Sequence, residues 1–185
     1  MSLLNSTNEG HRSGFVALIG RPNVGKSTLL NKFVGEKVAI TSPVAQTTRN
    51  RLRGILTSPE AQLILLDTPG IHKPHHLLGE RLVQSAKSAI GEVDIVLLLF
   101  DGSSPPGKGD SFIVQLLMKQ KKPVLVALNK WDLVEEDNHQ LIENSYMSLI
   151  QGTNWPIHKC IATTGKGCGE LIDTLTAKLP FGPQL

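Results

Sequence analysis

The chain has 185 residues, 40% hydrophobic and 19% charged, which is enough to bury one sizeable core and too apolar for a disordered polymer. A net charge of +3 is too small to announce a nucleic-acid-binding face by itself, and no apolar run approaches the ~20 residues that span a bilayer. Aromatic residues make up only 4%, so the core must be built from Val, Ile, Leu and Ala, as in parallel strands buried on both faces.

Residues 1–13 lack the apolar stretch of a signal peptide and read as a disordered tail ahead of a domain over 14–180. Residues 15–19 form a short apolar run ended by Gly20, a buried strand. Gly20-Arg21-Pro22-Asn23-Val24-Gly25-Lys26-Ser27 then fits G-x-x-x-x-G-K-[ST]. Its glycines let successive backbone N–H groups curl around phosphates with no Cβ in the way. A helix over 27–34, stopped by Gly35, aims the positive end of its dipole at the same place. Asn23, Val24, Gly25, Lys26, Ser27 and Thr28 are the expected phosphate contacts, with Lys26 bridging the β- and γ-phosphates and the Ser27 hydroxyl on Mg²⁺. The loop points to a nucleoside triphosphate without naming the base.

Residues 41–50 are polar and aperiodic, a loop holding Gln46-Thr47-Thr48-Arg49. A threonine there can ligate Mg²⁺ while the triphosphate is bound and let go after cleavage; Thr48 is preferred to Thr47, and a plain polar surface loop is the alternative. Strand patterns over 51–57 and 62–66 flank Ser58-Pro59-Glu60, a hairpin turn that makes one strand antiparallel at the edge. Asp67-Thr68-Pro69-Gly70 follows, placing a carboxylate to hold Mg²⁺ through water and the Gly70 N–H to meet the γ-phosphate.

After an irregular stretch over 72–78, the pattern alternates: helix 80–90, strand 93–100, a Pro/Gly loop 103–109, helix 110–121 and strand 124–128. Asn129-Lys130-Trp131-Asp132 comes next. Asp132 can accept from guanine N1–H and the N2 amino group together, a donor pair that adenine lacks. Asn129 can reach N7, and the Lys130 stem can lie over the ring. A helix over 138–150 and a strand over 157–162 lead to Ile161-Ala162-Thr163, where the Ala162 N–H is expected at guanine O6. A last helix covers 170–179, and 181–185 read as the start of a linker to an absent domain. Cys160 and Cys168, eight apart, match neither a redox pair nor a zinc knuckle and read as free thiols of a reducing compartment. That compartment is the cytoplasm or an organelle interior after processing, with peripheral attachment at an inner membrane left open. His72, His75 and His76 have no cysteine nearby and are not taken as metal ligands.

Alternating strands and helices give an α/β fold, a P-loop NTPase three-layer sandwich of Ras-like type. Its sheet is mostly parallel and six-stranded with one antiparallel edge strand, and ligands sit at the carboxyl ends of the strands. The motifs resemble the Era family of P-loop GTPases. They are the Gly20–Ser27 loop, Pro43-Val44-Ala45-Gln46-Thr47-Thr48-Arg49, and Asp67-Thr68-Pro69-Gly70-Ile71-His72-Lys73-Pro74 continued by Leu78-Gly79-Glu80-Arg81. The resemblance implies GTP/GDP and Mg²⁺ as ligands and GTP hydrolysis by Lys26, Asn23, Thr48 and Gly70. It also implies a role in small-ribosomal-subunit assembly, with rRNA bound through a KH-type domain that this chain, expected to be monomeric, lacks. Related GTPases with asparagine at the position of Asn23 hold K⁺ beside the phosphates; a turn asparagine is the alternative. Ile161 stands where the family has Ser, and Ile71 stands where Ras-like switches carry a water-orienting glutamine. Ile71 keeps open a second function, a GTP/GDP-binding module with negligible hydrolysis read out by a partner. A third reading, the cytosolic G domain of a membrane ion transporter, finds no spanning segment in its favour.

Overall fold

The computed structural model describes residues 10–35, 39–41, 52–68 and 77–183. Along these residues run β1 (Arg12–Gly20), α1 (Lys26–Gly35), β2 (Ala39–Thr41), β3 (Leu52–Thr57), β4 (Ala61–Asp67) and α2 (Leu77–Gly91). Then come β5 (Ile95–Asp101), α3 (Lys108–Gln120), β6 (Val124–Asn129), α4 (His139–Leu149), β7 (Ile157–Lys159) and α5 (Cys168–Lys178). Two 3-10 turns, Trp131–Leu133 and Glu136–Asn138, join β6 to α4.

The strand order is β2-β3-β4-β1-β5-β6-β7. β4 and β5 flank β1 in parallel, with Val16 opposite both Leu65 and Ile95. The chain leaves β1 toward one side of the sheet and crosses to the other at β5, so the direction of winding reverses beside β1, the place where such sheets bind ligands. β3 is antiparallel to β4 because the turn between them is too short for a crossover. Ser58 N–H donates to the Ala61 carbonyl at 2.8 Å, and Ala61 N–H to Ser58 Oγ at 3.1 Å, closing that turn. The antiparallel strand is second from the rim, because β2 adds a seventh strand outside it. Three residues are too few to display a period, and so this strand left no pattern in the sequence.

β1 is buried on both faces, which explains its unbroken apolar run. Val16 and Leu18 pack in one layer with Leu29 and Phe33 of α1 and Leu171 and Leu175 of α5. Ala17 and Ile19 pack in the other with Ala86 and Ile90 of α2, Ile113 and Leu117 of α3, and Tyr146 of α4. Burying side chains of this size contributes about 1.5–3 kcal/mol each, which fixes β1 firmly between the two layers.

β1 begins at Arg12, inside the expected 1–13 tail. The segment after α5 straps it down. The His11 carbonyl accepts from Gly182 N–H at 2.9 Å, and Ser13 Oγ donates to the Pro183 carbonyl at 2.8 Å. The Arg12 guanidinium donates to the Leu179 carbonyl at 2.6 Å and lies 3.9 Å over the Phe181 ring. Residues 181–183, expected as linker, therefore belong to the packed structure, and the alternating polar sequence around Arg12 hid this.

Candidate functional site

The parallel strands end on one rim in residues that are small or polar: Gly20 of β1, Asp67 of β4, Asp101 of β5 and Asn129 of β6. Register sets their spacing. Leu18 pairs with Asp67, and Asp101 pairs with Asn129.

The phosphate loop leaves β1 with Asn23 at φ 68 and Gly25 at φ 105, both left-handed. A Cβ at Gly25 would run into Asn129 Nδ2, so glycine is required by both backbone and space. Helix α1 starts at Lys26, one residue ahead of the sequence expectation, and Leu29 N–H donates to the Gly25 carbonyl at 2.9 Å. Val24 turns its side chain into the core, while Ser27 is exposed at the helix start and Thr28 is half-buried.

Asn129 is 2% exposed and joins three segments. Its Nδ2 donates to the Val24 carbonyl at 2.9 Å, and its Oδ1 accepts from Ala162 N–H at 3.0 Å. The Ala162 N–H expected at guanine O6 is thus already engaged, and it serves first to orient Asn129. The next residue, Lys130, lies at φ 62 and sends its ammonium to the Asn23 carbonyl at 2.9 Å and to Asp101 Oδ2 at 3.1 Å. Consecutive residues at the end of β6, Asn129 and Lys130, therefore grip consecutive carbonyls of the phosphate loop. Asp132 sits exposed in the Trp131–Leu133 turn. Together with Gly25, Thr28, Lys130, Ile161 and Ala162 it lines a pocket of about 250 Å³.

Asp101, Thr68 and Tyr146 were not singled out by the sequence. Burial raises the Asp101 pKa, but hydrogen bonds from the Ser103 hydroxyl and N–H and the Lys130 ammonium outweigh it, holding the carboxyl below its usual value. The Tyr146 hydroxyl lies 2.7 Å from the Asp101 carbonyl and 2.8 Å from the Ser104 carbonyl and shares its one proton between them, fixing the end of β5. Burial pushes this phenol well above its usual range, so it remains a donor. The one clue to Asp101 was a carboxylate ending the apolar run of β5.

On the opposite side of the loop, Lys26 Nζ donates to the Thr68 carbonyl at 2.7 Å and lies 3.6 Å from Asp67 Oδ1. Thr68 is buried and donates from Oγ1 to the Leu18 carbonyl at 2.9 Å, which pins this corner to β1. The Asp67 carboxylate and the Ser27 hydroxyl are hard oxygen donors suited to Mg²⁺. Thr47, Thr48 and Gly70 lie outside the described residues, as do His72, His75 and His76. Among the described residues no group of three His, Cys, Asp or Glu could hold a metal, and no helix is long and apolar enough to cross a membrane. Cys160 and Cys168 are both buried.

Residues 15–130 match the family model described as 50S ribosome-binding GTPase. The chain is 58% identical over 175 residues to the GTPase Era of Rippkaea orientalis, covering 95% of this chain and 55% of that protein. It is 56% identical over 174 residues to the GTPase Era of Synechocystis, covering 94% and 55%. The chain thus spans about half the length of these relatives. Among solved structures, it is similar to Era in complex with MgGDPNP and nucleotides 1506–1542 of 16S ribosomal RNA, at TM-score 0.79 and 38% identity, covering 95% of this chain and 59% of that one. It is also similar to an Aquifex aeolicus Era variant bound to GDP·AlF4⁻, at TM-score 0.76 and 36% identity, covering 94% and 59%.

Proposed function

The chain belongs to the family described as 50S ribosome-binding GTPase, and from that premise we propose that it binds GTP with Mg²⁺, hydrolyses it to GDP and phosphate, and uses the cycle as a switch. The observation that carries this reading is the double grip of Asn129 on the Val24 carbonyl and Lys130 on the Asn23 carbonyl. It couples the loop that would hold phosphates to the motif that would read the base, so guanine recognition and phosphate alignment stand or fall together. Asp132 accepts from guanine N1–H and N2, and Asn129 Nδ2 offers its second hydrogen to N7.

Lys26 leaves the Thr68 carbonyl for the β- and γ-phosphates, an exchange of one acceptor for a more strongly charged one. Water attacks the γ-phosphorus, the bond to the β–γ bridging oxygen breaks and the water's proton passes to the released phosphate, with Lys26 and the loop N–H groups neutralising charge on the leaving diphosphate. Ser27, Asp67 and Thr48 would hold Mg²⁺, which would supply further charge neutralisation when bound. Gly70 N–H meets the γ-phosphate. Asn23 is the K⁺ ligand of this proposal. Its left-handed backbone is held by Lys130, and its exposed position in the loop supports that role.

The similar Era structure carries a 16S ribosomal RNA segment, which supports a place for the whole protein in small-ribosomal-subunit assembly. GTP cleavage by the purified chain with Mg²⁺, in potassium and then in sodium, tests the reading, with Lys26→Ala and Asn23→Ala alongside. Cleavage is expected in the parent, lost in Lys26→Ala, and faster in potassium only while Asn23 is present. GTP binding without cleavage in either salt would replace this reading with the nucleotide-binding module.

A further inference from the structure

Asn129 can read N7 only if its amide is held with nitrogen toward the nucleotide and oxygen away, and an amide has two orientations of nearly equal shape. Here the orientation is forced. The Val24 carbonyl requires a donor at 2.9 Å and the Ala162 N–H requires an acceptor at 3.0 Å. A third group touches the same amide. The Cys160 thiol lies with Sγ 3.7 Å from Asn129 Oδ1, within reach of an S–H donor. Its backbone is fixed on both sides against β6 and the turn that follows. Cys160 N–H donates to the Leu128 carbonyl at 2.9 Å, and its carbonyl accepts from Trp131 N–H at 3.3 Å. Cys160 is 2% exposed, so water does not compete for either partner.

We infer that Cys160 is a positioning residue for guanine recognition, its thiol donating to Asn129 Oδ1 and keeping the amide nitrogen on N7. This rests on the reading that Asn129 meets N7. The thiol is the second of two donors on that oxygen. Removing it leaves Ala162 N–H alone to hold the amide, in a site where each hydrogen bond counts for more than in water. The side chain must be protonated to act, and burial, with Cys168 nearby, keeps it so.

The test is the affinity of the intact chain for GDP and for 7-deaza-GDP, which lacks the N7 acceptor, in the parent, Cys160→Val and Cys160→Ser. Valine fills the space without donating; serine donates but fills it less well. A positioning role predicts about threefold to tenfold weaker GDP binding in Cys160→Val and affinity within about twofold of the parent in Cys160→Ser. The preference for GDP over 7-deaza-GDP should shrink in Cys160→Val. That preference is a ratio within one variant, so a general loss of folded protein cancels from it. A purely packing role predicts the reverse order, valine harmless and serine harmful, and would overturn the inference. An unchanged ratio in Cys160→Val would do the same. If the parent itself binds both nucleotides equally, the Asn129–N7 reading fails first and takes this inference with it.

Discussion

Asn129 Nδ2 donates to the Val24 carbonyl at 2.9 Å across 105 positions of sequence, so a side chain at the end of β6 determines the shape of a loop that follows β1. Asn129→Ala leaves the Val24 carbonyl and the Ala162 N–H unpaired in a buried place. Orphaning two such groups should cost about 2–4 kcal/mol of stability. The urea midpoint and GDP affinity should fall together. A midpoint equal to that of the parent would show that the loop holds its shape without this bond.

Asp132 is exposed, so its substitution should leave stability nearly alone and change chiefly which base binds. Inosine diphosphate lacks the N2 amino group, and losing one hydrogen bond to a carboxylate should weaken binding on the order of 10- to 100-fold relative to GDP. Asp132→Asn should abolish most of that difference. Competition between the two nucleotides measures it directly.

Asp101 titrates in the folded chain below its ordinary value of 3.8. Its contribution to stability is therefore present above that pH and disappears as pH falls through the lower folded value. Asp101→Asn should flatten the acid limb of urea stability below about pH 4. It should also loosen Lys130 from the Asn23 carbonyl, weakening GDP binding at neutral pH while Tyr146, which bonds the Asp101 backbone, stays in place.

At the other end of the scale, burial and, to a lesser extent, Cys168 push the Cys160 thiol from 9.0 up to about 12. Below pH 9 both folded and unfolded states keep the proton, and the contribution is full. Between the two values only the folded state keeps it, so stability falls as pH rises. Cys160→Ser, which does not titrate there, should show a shallower alkaline decline in thermal unfolding than the parent.

Much of this was legible because parallel strands buried on both faces must be continuously apolar, and the residues that end them stand out. The glycines and Lys26 of the loop, Asp67, and the Asn129–Asp132 run announce themselves in this way. Asp101 ends an apolar strand just as plainly, but only the register that sets it beside Asn129 gives it a partner. Thr68 and Tyr146 act by donating to backbone carbonyls 50 and 45 positions away, and no local pattern encodes the far end of such a bond. Ala162 was found for its backbone, yet its N–H faces Asn129. The expectation considered the ligand and left out the protein's own acceptor.

The strap over β1 has a consequence for connectivity. His11 and Gly182 are hydrogen-bonded neighbours, while Pro59 and Glu60 lie exposed in a closed hairpin turn. A short bridge between the two strapped segments, with the backbone opened at that turn, would yield a circular permutant in which each parallel pairing and the whole nucleotide rim persist. In such a rearranged chain β4, with Asp67 at its carboxyl end, would be made first and β1, with its phosphate loop, near the end, so the order of synthesis of the two halves of the rim can be reversed while their geometry is kept.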